Sequence, residues 1–371
     1  MSSTPTKRAD GRLTFQELMP LVPLPDGVGN GKATKRYMSQ RKAWFPKGDV
    51  AIASKMDDSK VVPLNNHNTS FGGHVYSQAG LAASLASAEI PSREKLGIHT
   101  IHGYFSEGGL IDRPFIYDVT TISANPGFPN FLVTARQPLS PSTNEEKDHF
   151  PLADSDLALG PVCFGALVSL RPPVPSQHVA QEPTVQTRFA SILNSRPPSA
   201  WGPSPHVDIA LLVDLFPMCN PGTFPMVDMK KVDLTAFNKG KPLHERRELI
   251  LYQLLAPLPA DDHDAHILVH AFVVDRNGLL MMGNHVGFGY DFGRAASLSY
   301  SFIVHVNSED AVMSYGPDQW WVQEVCFPRV EAGRGIVMSK IWSPTGVHVA
   351  TEYQDGIIQR QRKPSEKQGK L

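Results

Sequence analysis

Cysteine is scarce: Cys163, Cys219 and Cys326 are the only three in 371 residues. They are far apart, odd in number and free of any C-x-x-C spacing, which excludes a disulfide framework and a cysteine zinc site. Charge of one sign is lacking as well. The formal net charge is -1, without the basic excess of a nucleic-acid-binding surface, so no nucleic-acid partner is expected. No apolar run approaches the ~20 residues of a membrane-spanning helix. The opening "MSSTPTKRADGRLTF" has no apolar core of a secretory signal, so an intracellular protein without a membrane span is expected. Two catalytic signatures are missing too. No G-x-S-x-G elbow occurs, which ranks a Ser-His-Asp triad low. "DGVGNGKAT" (26–34) fails the phosphate-loop pattern twice, leaving a flexible loop beside a solvated basic stretch of Lys32, Lys35, Arg36, Arg41 and Lys42.

What is present is a soluble globular composition long enough for two domains. Between Leu170 and Pro225 the chain turns proline-rich, in "RPPVPSQ", "SRPPSAWGPSP" and "FPMCNPGTFP"; proline removes backbone donors, so this stretch reads as a connector. The segments on either side share one order. In the first half "GGHVYSQAGLAASLASAE" has helix length, no internal proline and mostly small side chains. A thin helix of this kind can be wrapped closely. After it come four strand-like runs, "LGIHTIHGYF", "RPFIYDVTTI", "PNFLVTARQ" and "CFGALVSL", set apart by turn residues. The second half repeats this with a strand "RRELILYQLLAP", a helix across "DDHDAHILVHAFVVDRNGLLMM", and strands "AASLSYSFIVHV", "QWWVQEVCFP", "GRGIVMSKIW" and "GVHVATEYQDGII". The expected fold class is therefore α+β, two antiparallel sheets each curled around a central helix. The expected divisions are an N-terminal extension (1–44), a first unit (45–170), the connector (171–224), a second unit (225–359) and a charged tail (360–371).

Three polar residues of the second half sit in unexpected company. Asp275 ends the apolar run "ILVHAFVVD", Ser297 lies inside a strand, and Gln354 interrupts "HVATEYQDGIIQ". Each also has a plain reading: an aspartate meeting solvent, a serine filling a strand, a glutamine at an exposed strand end. Of the other clusters, Asp261, Asp262 and Asp264 suit a helix N-terminus without catalysis. Asp261 and His266 share the spacing of a hydratase dyad without its flanking residues. His263, His266 and His270 share a helical face, read as partly buried surface, and no metal is expected.

"FGGHVYSQAGLAA", "HTIHGYF" and "RPFIYDVTTI" resemble the first half of the acyl-CoA thioesterase II family, whose members are double hotdog proteins. "LPADDHDAHILVHAFVVD", "AASLSYSFIVH", "WWVQEV" and "GRGIVMSKIWSPTGVHVATEYQDGII" resemble its second half in order and spacing. The resemblance covers roughly residues 45 to 138 and 225 to 358. It implies hydrolysis of acyl-CoA to free acid and coenzyme A, with no cofactor and with the acyl chain in an apolar tunnel beside the helices. It also implies catalytic roles for Asp275, Ser297 and Gln354: Asp275 to orient and deprotonate a water, Ser297 to bridge by hydrogen bonding, Gln354 to hold the water or the carbonyl oxygen. That set of a carboxylate, a hydroxyl and an amide is what thioester hydrolysis needs. The chain departs from the family pattern at His74, where glutamine is favoured, and at "GFPNFLV", where arginines are. An enzyme acting on a carrier-bound polyketide-type acyl thioester and a non-catalytic acyl-binding protein are the alternatives. A homodimer is expected because hotdog sheets have edges to cover. The last three residues, Gly369 to Leu371, approximate a peroxisomal address, which sets peroxisomal against cytoplasmic localisation.

Overall fold

In the computed structural model of the chain, which describes residues 10–29, 32–45, 69–91, 95–144, 149–205, 207–215 and 224–361, thirteen strands join in one antiparallel sheet. The first half contributes β1 (Leu21–Gly29), β2 (Lys32–Ser39), β3 (Gly97–Phe105), β4 (Ile116–Ser123), β5 (Asn130–Pro138) and β6 (Leu159–Arg171). From the connector comes β7 (Gly202–Pro203). The second half adds β8 (Val227–Lys231), β9 (Arg247–Leu254), β10 (Phe292–Val304), β11 (Trp321–Glu331), β12 (Arg334–Trp342) and β13 (His348–Arg360). Their spatial order is β1-β2-β4-β5-β6-β3-β10-β13-β12-β11-β9-β8-β7. The two expected sheets are thus halves of a single one, fused where β3 pairs with β10 from Ser299 opposite Tyr104 to Ile303 opposite Thr100. At this seam the β3 and β10 edges meet within one chain, and the sheet ends at β1 and β7.

One segment differs from expectation. Residues 21–39, read as part of an extension with a flexible loop, form the β1–β2 hairpin and pair with β4 through Lys35 to Met38. Pro23, Pro25, Gly27 and Gly29 disguise the strand in sequence, and an edge position tolerates them because the outer backbone donors need no partner. Two of the basic residues there are paired: Lys35 with Asp26 and Glu89, Arg36 with Asp118. The charged tail beyond Gln361, with its C-terminal tripeptide, lies outside the described residues.

Each half wraps one helix, α1 (Gly72–Ser87) and α2 (His263–Val274). The two helices pack against each other in opposite directions. Ala79, Ala82 and Ala83 on α1 are fully buried. A Cβ on Gly80 would stand 2.6 Å from the Leu268 side chain of α2, so small residues are what let the helices touch. Hydrogen bonds from α1 pin this packing along its length. Gly73 N–H donates to Asp275 Oδ2, just past the end of α2, and Ser77 Oγ to Leu268 O. Ser84 Oγ donates to Asp264 Oδ2 in the first turn of α2, while Ile98 N–H of β3 donates to Asp264 Oδ1.

The connector does more than join. Val185, Phe189 and Trp201 pack with Leu249, Leu251, Val322 and Trp342 on the sheet face turned away from α2. Arg188 caps this layer, its guanidinium on buried Glu324, which also accepts from Trp342 Nε1 at 3.2 Å. Arg188→Ala removes a hydrogen bond to a charged group and leaves a buried carboxylate short of a partner, so it should lower stability by roughly 2–3 kcal/mol. Urea denaturation would measure it, and an unchanged midpoint would show that the layer adds nothing.

Candidate active site

The apolar positions of α2 keep it helical up to Val274, and Asp275 caps it in a helical conformation. One continuous helix was expected through Met282. Instead the chain turns at Asp275-Arg276-Asn277 and starts α3 (Gly278–His285), because Asn277 takes a left-handed conformation at φ +62°, one that asparagine tolerates better than most residues. The connector holds this turn. Arg276 Nη2 donates to Ser204 O and Pro205 O at 2.9 Å, and Asn277 Nδ2 to Pro205 O at 2.7 Å.

Ser297 and Gln354 come from the neighbouring strands β10 and β13, where Tyr300 lies opposite Gln354 and Ser297 opposite Gly356. The pairing slips by one residue between Ser297 and Ser299. Side chains of a regular strand alternate, so residues three apart point to opposite faces. A bulge cancels one alternation and re-aims a side chain. Ser297 thereby joins Tyr300 on the face that meets Gln354.

The three residues singled out in the sequence are brought together. Gln354 Nε2 donates to Asp275 Oδ1 at 3.0 Å and to Ser297 Oγ at 2.9 Å, and it also contacts Tyr300 Oη. Ser297 Oγ and Tyr300 Oη are 3.1 Å apart. Gly73 N–H reaches Asp275 Oδ2 at 2.6 Å. Neither Asp275 nor Gln354 is at a solvent-exposed end, since they are 9% and 2% accessible, while Ser297 is half-buried. Burial raises the Asp275 carboxyl to about 8, against the opposing pull of the Gly73 N–H and the Gln354 amide. A carboxylate with this proton affinity is suited to take a proton from water near neutral pH.

Three contributors escaped the sequence reading. Tyr300 reads as a core aromatic, and its ring does pack against Tyr76 and Phe105. Gly73 acts through its backbone, which no side-chain pattern reveals. Glu352 lies on the same face of β13 as Gln354, fully buried, and burial with the nearby Asp275 charge raises its carboxyl well above the ordinary range. Its proton is therefore held more tightly than that of an ordinary carboxylic acid. Its alternation with Gln354 along the strand was the available signal. His74 stands apart from this cluster, buried beside Phe272, with burial pushing its imidazole down to about 3.

The histidines of α2 have structural partners instead. His266 bonds Pro259 O and the Met313 N–H, His270 bonds Tyr252 and Ala311 O, and His263 bonds Ser308. Asp262 caps α2 through the Ala265 N–H. Asp264, read as a helix-start charge, is buried as the inter-helix tie already described.

Gly73 is a point of close approach beside the cluster. A Cβ there would lie 2.9 Å from Phe272 O and 3.1 Å from Asp275 Cβ. Gly73→Ala should push the helices apart, weaken the bond to Asp275 and cost about 1–3 kcal/mol by overpacking. A thermal melt that matches wild type would contradict this close approach.

A family profile described as acyl-CoA thioesterase C-terminal domain matches residues 167–358. No curated protein matches the chain by sequence. Solved structures show the same fold. An acyl-CoA thioesterase II from Mycobacterium marinum aligns with a TM-score of 0.57 at 18% identity, over 94% of this chain and 98% of that one. A thioesterase II described as putative, from Thermobifida fusca, aligns with a TM-score of 0.56 at 11% identity, over 94% and 98%. A hot dog fold protein from Alicyclobacillus acidocaldarius gives 0.54 at 13% identity, over 93% and 97%.

Proposed function

Because the chain belongs to the acyl-CoA thioesterase family and is a thioester hydrolase of the hotdog fold, we propose that it cleaves acyl-CoA by attack of water at the Asp275, Ser297 and Gln354 cluster. The observation that carries this reading is the single amide of Gln354, which joins a buried carboxylate of high proton affinity to a half-open hydroxyl.

Asp275 in its ionised form accepts a proton from the attacking water while the oxygen bonds to the thioester carbon. Gly73 N–H and Gln354 Nε2 occupy its two oxygens, which orients the carboxylate without neutralising it. Ser297 offers a hydroxyl at the edge of the cluster to the water or to the carbonyl oxygen, where negative charge develops. The proton held on Asp275 then goes to the departing sulfur. The carboxylate is restored, with no covalent acyl-enzyme.

The test is thiol release from acyl-CoAs of short to long chain by the full-length protein. Hydrolysis of at least one chain length, lost in Asp275→Asn, supports the reading. Absence of coenzyme A release across the whole series would sink it.

A further inference from the structure

The hydrogens of the cluster do not match its contacts. Gln354 Nε2 carries two hydrogens and stands within hydrogen-bonding distance of three acceptors: Asp275 Oδ1, Ser297 Oγ and Tyr300 Oη. The two hydroxyls can also bond to each other across 3.1 Å. An ionised Asp275 takes one amide hydrogen, since a charged acceptor makes the stronger bond. The second amide hydrogen can reach only one hydroxyl oxygen at a time. One hydroxyl hydrogen then closes the contact between Ser297 and Tyr300, and the contacts of the cluster among the described residues give the other hydroxyl hydrogen no acceptor.

Burial decides which hydroxyl keeps it. Tyr300 is 2% accessible and held by the Tyr76 and Phe105 rings, with centroids at 5.4 and 5.8 Å. Ser297 is half-buried, turned inward only by the slip in its strand. We propose that Tyr300 is a positioning residue that accepts the second amide hydrogen of Gln354 and donates its own to Ser297 Oγ, so that the Ser297 hydroxyl hydrogen faces the thioester carbonyl oxygen.

This rests on the hydrolase reading above and assigns the Ser297 hydroxyl to one of the two partners left open there. In the first step the water O–H bond breaks, its proton passes to Asp275, the new C–O bond forms, and the carbonyl π pair moves onto oxygen. The Ser297 hydrogen meets that charge and is not transferred. In the second step the C=O bond re-forms, the C–S pair leaves with sulfur, and Asp275 returns its proton to sulfur. Successive bonds from Gln354 to Tyr300 to Ser297 polarise one another, which makes Ser297 a stronger donor than a lone serine.

A double-mutant cycle on an acyl-CoA that wild type hydrolyses tests the relay. Tyr300→Phe keeps the packed ring and should lower kcat roughly tenfold with KM unchanged, the worth of one neutral hydrogen bond. Ser297→Ala should lower kcat by on the order of 10²-fold as a lost oxyanion donor. In the Ser297→Ala background, Tyr300→Phe should change kcat by under about twofold, because the residue it acts through is gone. Equal losses in both backgrounds would mean that Tyr300 serves packing alone and would overturn the inference. So would Tyr300→Phe at wild-type kcat, or Tyr300→Phe more damaging than Ser297→Ala. An inactive wild type, or a fully active Asp275→Asn, would strike the hydrolase reading instead.

Discussion

Asp275→Asn is expected to lower kcat/KM by on the order of 10³-fold, within the range for loss of a general base, while the protein stays folded. The amide has nearly the same shape and can still accept from the Gly73 N–H. Its NH₂ would face the Gln354 NH₂, but Gln354 Oε1 has no hydrogen-bond partner among the described residues, so that amide can turn over and accept. The pH dependence carries the sharper signature. With the Asp275 carboxyl raised to about 8 by burial, the active ionised form dominates only above that pH. Wild-type kcat/KM should rise with pH and level off beyond about 8, standing roughly 100-fold below its plateau two units lower. The other titratable groups facing Asp275 are Glu352 on β13, Tyr300 on β10 and Tyr76 on α1, with the Tyr76 and Glu352 protons held tighter than usual by burial. A flat profile from pH 6 to 9 would remove Asp275 from the role of base.

The same shift fixes the direction of a stability effect. Asp275 binds its proton more tightly folded than unfolded, so its contribution is fully present below about 4 and is lost as pH rises through about 8. Asparagine has no proton to lose. The melting temperature of Asp275→Asn should therefore gain on wild type as pH increases, although activity has collapsed. Loss of both together at high pH would point to misfolding rather than to loss of a base.

Gln354→Ala is expected to cost on the order of 10²-fold in kcat, because one side chain orients the base and connects it to both hydroxyls. Its amide also favours the ionised Asp275. Removing it should move the rising limb of the pH profile to higher pH, a displacement that Ser297→Ala should not produce. Measuring kcat/KM from pH 6 to 9.5 in both variants separates the two contributions. An unshifted limb in Gln354→Ala would mean that the amide does not act on Asp275.

Much of the fold was legible because its determinants are local. β-branched and aromatic runs between turn residues became β3 to β6 and β9 to β13, and the small-residue helix became α1. The hairpin at 21–39 was not legible, since its prolines and glycines read as loop and only an edge position in the finished sheet excuses them. Nor was the break after α2, which depends on the left-handed Asn277 and on connector residues far away in sequence. Within the site, residue identities came from the resemblance, and their convergence came from the structure. Ser297 in particular should face away from Gln354 by simple alternation. The slip that reverses it is a property of pairing between two strands, which neither strand encodes alone.

The antiparallel clasp of α1 and α2 has a consequence for how the two halves can diverge. The first half gives the Asp275 carboxylate the Gly73 backbone N–H and sets the Tyr76 and Phe105 rings against Tyr300. Its one direct bond to the proposed base is a backbone hydrogen at one position. Change in that half is bounded by the need for a helix start narrow enough to reach across at Gly73, so one domain serves as a fixed point for its twin.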